Sequence, residues 1–391
     1  MRKKFSVYFI ILAITLFMST MLLSFKTNAF ADEVQPLTIT SREAILLDAD
    51  SKTVIFKQNE KEKRPIASMC KIMTLLLCFE EIDAGRLSFD EEIVVSKNAS
   101  GMGGSQVFLE ENCAYKVGEL IKSIVVGSAN DACVAMAERI SGSERNFVDL
   151  MNAKASQIKM YNTVFTNCTG LPKAGQYSTA EDVSLMFLEL INHKSYFDYS
   201  NIWLSKIEHK DGRYTEISNT NKLIRYYEGC DSGKTGYTSE AGHCLTASAK
   251  RNGMRLISVI IDAPNSKIRF KETSDLFNFG FDNYTNKLLV ASDQPLQEKI
   301  CVENGKKEQV EIVASSSLYL FCQRNQTVPV EIVLNAPKKV KAPINKGDIL
   351  GKIEIYSNGK LINYTDILAL EDVQMKEYGD KVNDIIKDWA L

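Results

Sequence analysis

The alternation of hydrophobic and polar positions divides the chain into an apolar leader, a long mixed part and a β-rich end. The leader has basic residues at 2–4, an apolar stretch at 5–25 and an Ala-x-Ala site at 29–31. These features are typical of a cleaved secretion signal. We therefore predict a signal peptide over 1–31 and an exported protein. An uncleaved membrane anchor is the alternative, because the apolar stretch is near the length of a short span.

In the mixed part, the hydrophobic period changes from that of strands to that of helices and back. β-rich runs near its start predict a hairpin over 44–59. Apolar residues at helical spacing begin just after Ser68. Strand-like runs return after Lys234, with a hairpin turn at 251–253. The later predicted helices are 117–126, 131–140, 147–160, 180–192 and 268–279, and the later predicted strands are 234–238, 243–249 and 254–261.

Two strands from the start and three from the end of this part enclose a helical middle. A sheet built from both ends of a domain indicates an α/β sandwich with a helical insert, and not a doubly wound fold. The length of 391 residues favours two domains. We predict the first domain over 32–287.

Near Leu288 the pattern changes to short apolar or alternating runs separated by turn residues. This change predicts a small all-β domain over 288–373, to which we assign no chemistry. The last residues, 374–391, place apolar side chains at i, i+3, i+4 and i+7 from Val382 to Trp389. A helix that lies on the membrane, a docking helix and a frayed end all fit this pattern.

Composition narrows the choice of function. The formal net charge is -2, so the chain lacks the basic field that nucleic-acid binding requires. Nine cysteines occur without a C-x-x-C pair. Cys70, Cys78 and Cys133 fall in apolar helical patterns, and we predict that they are small buried hydrophobic residues. No Cys/His group has the spacing of metal ligands, so we predict no metal and no cofactor.

Three short motifs carry the candidate chemistry. The first lies where a Pro-bearing loop meets a helix, the second at the break between two helices, and the third in a strand. Similar spacings at 156–159 and 96–98 lack these settings, and we interpret them as chance matches. The motifs are S-x-x-K at Ser68 and Lys71, S-x-N at Ser128 and Asn130, and K-T-G at Lys234, Thr235 and Gly236.

The first motif has the composition of an activated nucleophile. A serine hydroxyl reacts slowly unless a base lies within hydrogen-bond reach, and Ser68 and Lys71 share a helix face. Burial and a nearby second cation, Lys234, would lower the lysine pKa from its usual value of about 10.4. We predict Ser68 as nucleophile and Lys71 as general base, with the N–H groups of Ser68 and Tyr237 as the oxyanion site. The three scattered histidines argue against a Ser-His-Asp triad.

The other two motifs suit the remaining steps of an acyl transfer. Ser128 is predicted to relay a proton between Lys71 and the leaving amine. Asn130 is predicted to orient Lys71 and to hydrogen-bond the substrate amide. Lys234 and Thr235 would bind a carboxylate by charge and hydroxyl respectively. The glycine that follows them permits close approach of the substrate backbone.

Longer stretches extend these motifs, at 64–74, 128–132, 167–171, 177–182, 234–238 and 241–245. They resemble the D-alanyl-D-alanine carboxypeptidases, the low-molecular-mass penicillin-binding proteins, and the resemblance covers nearly the whole mature chain. It implies a β-lactamase/transpeptidase-like domain, in which a five-stranded antiparallel sheet carries helices on both faces, and a small C-terminal β domain. Three departures stand out: Ala129 replaces the usual glycine, 231–233 differ from the usual approach to the third motif, and the final helix is less cationic than expected.

The resemblance implies that the protein removes the terminal D-alanine from peptidoglycan stem pentapeptides through an acyl-enzyme on Ser68. Penicillins mimic the D-Ala-D-Ala end and are expected to acylate the same serine. The expected location is the outer face of the cell membrane or the cell wall, with peripheral membrane contact through the C-terminal helix left open.

Two alternatives to this function remain at the level of the sequence. A class A β-lactamase would need a deacylating glutamate between the second and third motifs. No matching E-x-x-L-N pattern occurs there, although Glu189 precedes Asn192. An inactive envelope scaffold is the other alternative, and the intact motifs argue against it.

Overall fold

The computed structural model describes residues 37–380 and residue 382, and those from Thr38 onward belong to one compact unit. The predicted signal peptide and most of the predicted C-terminal helix lie outside these residues and stay predictions. No helix of the described part is both long and apolar enough to span a bilayer. The helices are α1 (Lys71–Asp83), α2 (Lys97–Ser100), α3 (Val117–Gly127), α4 (Asn130–Ser141), α5 (Glu144–Gln157), α6 (Ala180–Leu190), α7 (Tyr196–Ser200), α8 (Leu223–Tyr226) and α9 (Ser266–Asn283).

The strands fall into two groups, one in the first part of the chain and one at the C-terminal end. The sequence pattern predicts both groups but not the four short strands over 92–94, 114–116, 204–208 and 214–218, which lie within the helical middle. The first group is β1 (Glu43–Asp48), β2 (Val54–Gln58), β3 (Glu92–Val94), β4 (Ala114–Lys116), β5 (Leu204–Glu208), β6 (Tyr214–Ser218), β7 (Cys230–Thr238), β8 (Gly242–Arg251) and β9 (Met254–Ala263). The second group is β10 (Tyr284–Val290), β11 (Pro295–Glu303), β12 (Gln309–Ala314), β13 (Leu318–Gln323), β14 (Glu331–Asn335), β15 (Lys339–Lys341), β16 (Ile349–Ser357) and β17 (Lys360–Ala369).

A five-stranded antiparallel sheet joins the two ends of the first part, in the order β2-β1-β9-β8-β7. Ala44 of β1 lies opposite Ile260 of β9, so the start and the end of the domain meet at the centre of the sheet. The predicted turn between β8 and β9 is confirmed: Asn252 and Gly253 have φ of 49° and 79°, as an Asn-Gly hairpin turn requires. Strand β7 is left at the edge of the sheet.

Helices cover both faces of this sheet. Side chains alternate along a strand, so a strand whose residues are all buried packs against helices on both of its faces. Every residue of β1 is buried. Ile45 and Leu47 belong to the core that the sheet shares with the helical middle. Leu46 points to α9, where a Cβ at Gly280 would lie 3.2 Å from Leu46 Cδ2. The predicted fold class, α/β with helices on both sheet faces and a helical insert, is therefore confirmed.

The helical middle agrees with the predicted spans, with shifts at its boundaries. Helices α3 and α4 meet at the predicted break, where Ser128 has a left-handed φ of 61°. Helix α5 begins at Glu144 and not at the predicted position 147, because the Ser143 hydroxyl accepts a hydrogen bond from the Asn146 N–H, at 3.2 Å, and caps the helix.

From Tyr284 to Ala369 the regular elements are strands, as predicted. Six of these strands form one sheet in the order β14-β16-β17-β12-β11-β15, and β10 pairs with β13. Their own core includes Val310, Ile312, Ile355 and Ile367. Strand β10 follows α9 directly at Tyr284, and the predicted domain boundaries stay a prediction.

Candidate active site

Ser68 lies in a short 3-10 turn, Ala67–Cys70, that leads directly into α1. The turn begins at Ala67 with a φ of 47°, a left-handed conformation that is strained for alanine. Ser68 is half-buried, and the Lys71 Nζ lies 3.0 Å from its Oγ. The two residues of the first motif are therefore within hydrogen-bond distance of each other, at the junction of turn and helix.

A backbone carbonyl also binds the Lys71 amine. The Lys71 side chain is fully buried, and its Nζ donates a hydrogen bond to the Thr169 carbonyl. The Asn167 Oδ1 accepts from the N–H of Thr169, at 3.1 Å, and fixes this loop. Sequence reasoning missed Thr169, because the group that it supplies is a carbonyl and leaves no side-chain signature.

The second and third motifs meet directly. The Lys234 Nζ donates to the Ser128 Oγ over 2.8 Å and to its neighbour's carbonyl, that of Thr235, over 3.0 Å. The left-handed turn at Ser128 brings this hydroxyl to the lysine. Lys234 is only 2% exposed, so the contact is shielded from solvent.

Two lysines in one buried cluster affect each other's protonation. Burial lowers the pKa of Lys71 below the ordinary lysine value. Burial lowers the pKa of Lys234 well below that value, and the positive charge of Lys71 lowers it further. The arrangement therefore favours a state in which at least one of the two amines is neutral and can act as a base.

Asn130 has a different partner from the one that the sequence suggested. Its Nδ2 donates to the Gly103 carbonyl over 2.6 Å, and its backbone N–H donates to the Ser105 carbonyl over 2.7 Å. Among the described residues its side chain makes no hydrogen bond to Lys71, which the Thr169 carbonyl holds instead. Asn130 thus fixes the loop at 103–105.

Arg269, on the first turn of α9, orients the peptide group after Gly236. This buried guanidinium donates to the Gly236 carbonyl, at 3.1 Å, and to the Cys244 carbonyl of β8, at 3.2 Å. The carbonyl and the next N–H of a trans peptide point in opposite directions. The Tyr237 N–H is therefore directed away from β8, toward the free edge of β7. Sequence reasoning missed Arg269, since its partners are backbone groups far along the chain.

Gly236 brings this edge close to the nucleophile. A Cβ at position 236 would lie 2.8 Å from the Ile66 carbonyl oxygen and 3.2 Å from the Ser68 nitrogen. No side chain fits in this space, as the motif predicts. Strand β7 therefore passes in close contact with the nucleophile turn, so Tyr237, the next residue of the strand, follows directly after the point of closest approach to Ser68.

Gly170 supports the nucleophile turn from the other side and yields a test of the packing. It has a φ of 80°, and a Cβ there would lie 2.0 Å from the Ala67 carbonyl oxygen.

We expect Gly170→Ala to lower the free energy of unfolding by about 3 kcal/mol, from backbone strain and this clash together. Urea unfolding measures the change. Gly85→Ala is the matched control, because Gly85 has a φ of 70° with nothing near its Cβ; it should cost only about 1 kcal/mol. Equal losses for both variants would contradict the clash.

The segment before the third motif, at 231–233, adopts a specific local structure. Strand β7 begins at Cys230, earlier than predicted, and its register shifts between Cys230 and Ser232. The Asp231 carboxylate forms an ion pair with Arg255, at 2.7 Å, across the sheet. The residues at 231–233, which differ from the usual approach to the third motif, are therefore part of strand β7.

The remaining candidates have structural roles. Ser156 lies inside α5, and Ser96 caps α2 by accepting a hydrogen bond from the Ala99 N–H at 3.0 Å. The chance matches at 156–159 and 96–98 therefore have structural roles.

Within the described residues no histidine bonds to Ser68. His243 instead stacks on the exposed Tyr237 ring, with centroids 4.4 Å apart. The predicted buried cysteines, Cys70, Cys78 and Cys133, are indeed buried and free. The described part of the chain has no cluster of three or more His, Cys, Asp or Glu side chains that could hold a metal.

Comparisons with known proteins agree over most of the chain. The family described as D-alanyl-D-alanine carboxypeptidase matches residues 30–265, and the C-terminal domain of penicillin-binding protein 5 matches residues 284–375. The D-alanyl-D-alanine carboxypeptidase DacF of Bacillus subtilis is 35% identical over 96% of this chain and 98% of its own length.

Solved structures give the same picture. Penicillin-binding protein 5 of Haemophilus influenzae, at 28% identity, superimposes with a TM-score of 0.66 over 87% of this chain and 99% of that one. Penicillin-binding protein D2 of Listeria monocytogenes, solved in its ampicillin-bound form, is 29% identical and has a TM-score of 0.56 over 63% of this chain and 99% of that one. The chain therefore belongs to the D-alanyl-D-alanine carboxypeptidase family.

Proposed function

We propose that this protein is a serine-type D-Ala-D-Ala carboxypeptidase that removes the terminal D-alanine from peptidoglycan stem pentapeptides. The observation that carries the proposal is a pair of contacts: the Lys71 Nζ lies 3.0 Å from the Ser68 Oγ, and the Lys234 Nζ lies 2.8 Å from the Ser128 Oγ. It combines a nucleophile, a base, a hydroxyl relay and a cation, which are the parts that an acyl transfer from a peptide with a free carboxylate needs.

In the first step, neutral Lys71 accepts the hydroxyl proton of Ser68 as the Oγ attacks the carbonyl carbon of the penultimate D-alanine. A C–O bond forms, and the carbonyl oxygen becomes an oxyanion between the N–H groups of Ser68 and Tyr237. The strained turn at Ala67 fixes the serine for this attack, so that little reorganisation accompanies the reaction.

In the second step, the C–N bond breaks and the leaving D-alanine nitrogen receives a proton. The Ser128 hydroxyl delivers it, drawing on the proton that Lys71 acquired. Lys234 and Thr235 hold the terminal carboxylate. This carboxylate favours the charged form of Lys234 while Lys71 stays neutral, so substrate binding itself distributes the proton between the two buried amines.

The acyl-enzyme is then hydrolysed by water, which releases the shortened peptide and restores Ser68. A penicillin would follow the first two steps, with its ring nitrogen as the leaving group that the Ser128 hydroxyl protonates, and would stop at the acyl-enzyme. Its ring opens on attack, the leaving group remains tethered, and the adduct persists. The ampicillin-bound relative supports this expectation for the present chain.

We also propose that the protein is exported and acts at the outer face of the membrane or in the cell wall, where this substrate occurs. The leader over 1–31 supports export. The apolar face from Val382 to Trp389 supports a peripheral contact with the membrane, without the lysine excess that would add attraction to anionic lipid.

Two measurements on the purified protein test the proposed function. Incubation with benzylpenicillin should add the mass of one intact antibiotic, in an adduct that lasts for many minutes, and a pentapeptide ending in D-Ala-D-Ala should release free D-alanine. Rapid turnover of benzylpenicillin without D-alanine release would favour a β-lactamase. Failure of both reactions would favour an inactive scaffold.

A further inference from the structure

A cavity outside the active site lies between the turn that joins β1 to β2 and the two-stranded ribbon of β10 and β13. Its volume is about 680 Å³. Among the described residues that line it, none belongs to the three motifs. Cavities of this size where separate parts of a fold meet are common sites for small ligands. The proposed reaction leaves this cavity without a role.

Two side chains of the lining have buried polar atoms without partners. Asp48, at the end of β1, is fully buried; its Oδ2 accepts from the Ser51 N–H at 2.8 Å, but its Oδ1 has no partner among the described residues. The Nδ2 and Oδ1 atoms of Asn286, on β10, are also buried and unpartnered there. Such atoms are uncommon in folded proteins. Three of them in one cavity indicate a ligand that supplies the missing hydrogen bonds.

The side chains of Asp48 and Asn286 lie close together. Burial raises the pKa of the Asp48 carboxyl, and the neighbouring Asn286 amide opposes this rise. No hydrogen bond of normal geometry joins the two side chains, so each has hydrogen-bonding capacity left for a ligand. The described residues contain no group of three or more His, Cys, Asp or Glu side chains that could hold a metal, and an organic ligand therefore fits this pair better.

The ribbon adds aromatic rings to the same wall. Asn286 pairs with Phe321 across the ribbon, and Tyr319 lies two residues before Phe321 on β13. Directly opposed residues and residues two apart on a strand point to the same face, so the amide and both rings share one side. All three residues line the cavity. Aromatic ring faces carry partial negative charge, which attracts the polarised C–H groups of a sugar ring.

We propose that this cavity binds an uncharged N-acetylated amino sugar, the N-acetylglucosamine unit of a glycan strand. The N–H and carbonyl of its acetamido group match the Oδ1 and Nδ2 of Asn286, and the adjacent sugar hydroxyl donates to the Asp48 Oδ1. Asp50 also lines the cavity, and two acidic side chains disfavour an anionic sugar. The inference rests on the proposed function only for the source of the sugar, since peptidoglycan carries this unit.

Two matched disaccharides isolate the acetamido group. N,N′-diacetylchitobiose and cellobiose have the same β-1,4-linked backbone, and hydroxyl groups replace the acetamido groups in cellobiose. Isothermal calorimetry on the purified protein measures both affinities. We expect N,N′-diacetylchitobiose to bind at least about tenfold more tightly, because only its acetamido group satisfies both atoms of the Asn286 amide. Prior acylation by benzylpenicillin should leave this binding unchanged, because no motif residue is among the described residues of the lining.

Asn286→Leu removes both amide atoms and keeps a side chain of similar size. The variant should bind N,N′-diacetylchitobiose no more tightly than cellobiose. Its thermal unfolding temperature should not fall, because the unpartnered amide contributes no hydrogen bond to the fold. Thr285→Val is the matched control: Thr285 is the preceding residue of β10 and points to the other face of the ribbon, so this variant should keep the wild-type preference.

Equal affinities for the two disaccharides in the wild type would overturn the inference without recourse to any variant. A wild-type preference that persists in Asn286→Leu, or binding that benzylpenicillin abolishes, would also overturn it, because the sugar would then bind elsewhere. These outcomes leave the proposed function intact. Failure of both benzylpenicillin acylation and D-alanine release would overturn the proposed function instead, and with it the assignment of the sugar to peptidoglycan.

Discussion

Ser68→Ala should form no adduct with benzylpenicillin and should release D-alanine more slowly than the wild type by a factor on the order of 10⁶, as for other serine hydrolases that lose their nucleophile. The substitution removes the atom that forms the covalent bond. It leaves the turn and the Lys71 amine in place. Mass spectrometry after benzylpenicillin and a coupled assay for free D-alanine measure the two effects.

Ser156→Ala supplies the control, since Ser156 occupies the same S-x-x-K spacing on the exposed surface of α5. This variant should be acylated at the wild-type rate. A Ser68→Ala protein that still gained the mass of the antibiotic would assign the nucleophile to another residue, and peptide mapping would then locate it.

Lys71→Arg should lower the acylation rate by about 10²- to 10⁴-fold, the range over which general bases contribute. Arginine stays protonated in proteins and cannot accept the Ser68 proton. The variant therefore lacks the base, and it holds a permanent positive charge where the wild-type amine is neutral. Lys71→Met, which removes the amine without adding bulk, should lose activity to a similar extent. Stopped-flow acylation by benzylpenicillin provides the rates, and thermal unfolding verifies that both variants fold.

The pH dependence distinguishes a lost base from a distorted site. Burial lowers the pKa of Lys71, and only the neutral amine accepts the Ser68 proton. The acylation rate of the wild type should therefore decrease as the pH falls through this pKa, with a midpoint below the ordinary lysine value of about 10.4. The limb should be missing in Lys71→Arg. A wild-type rate in Lys71→Arg, or the same limb in both proteins, would refute Lys71 as the base.

The sequence predicted the fold well, because its signals are local. The Asn252-Gly253 turn and the alternating runs on each side of it identify two strands of the sheet without reference to the rest of the chain. The break at Ser128 was likewise visible, as a polar interruption between two apolar helical patterns. Boundaries were less certain, as at α5, where a single cap at Ser143 moves the start of the helix.

Contacts between backbone groups and distant side chains could not be predicted in the same way. The hydrogen bond from Lys71 to the Thr169 carbonyl and the one from Arg269 to the Gly236 carbonyl join groups that lie far apart along the chain. A carbonyl has the same chemistry at every position, so no residue type marks it. Serine and lysine at that spacing also occur by chance, as at 156–159, and the side chains of the motifs were predictable because three motifs occur in one order, each in its expected setting.

The pairing of β1 with β9 has a consequence for biosynthesis. The first strand remains without its central neighbour until the ribosome has completed the segment that ends at Ala263. Closing so long a loop costs entropy before any contact is gained, so assembly is slow. A nascent chain would therefore lack the assembled sheet, and with it the completed site, until this segment is made, and an unfolded chain of this kind would suit the export that we propose.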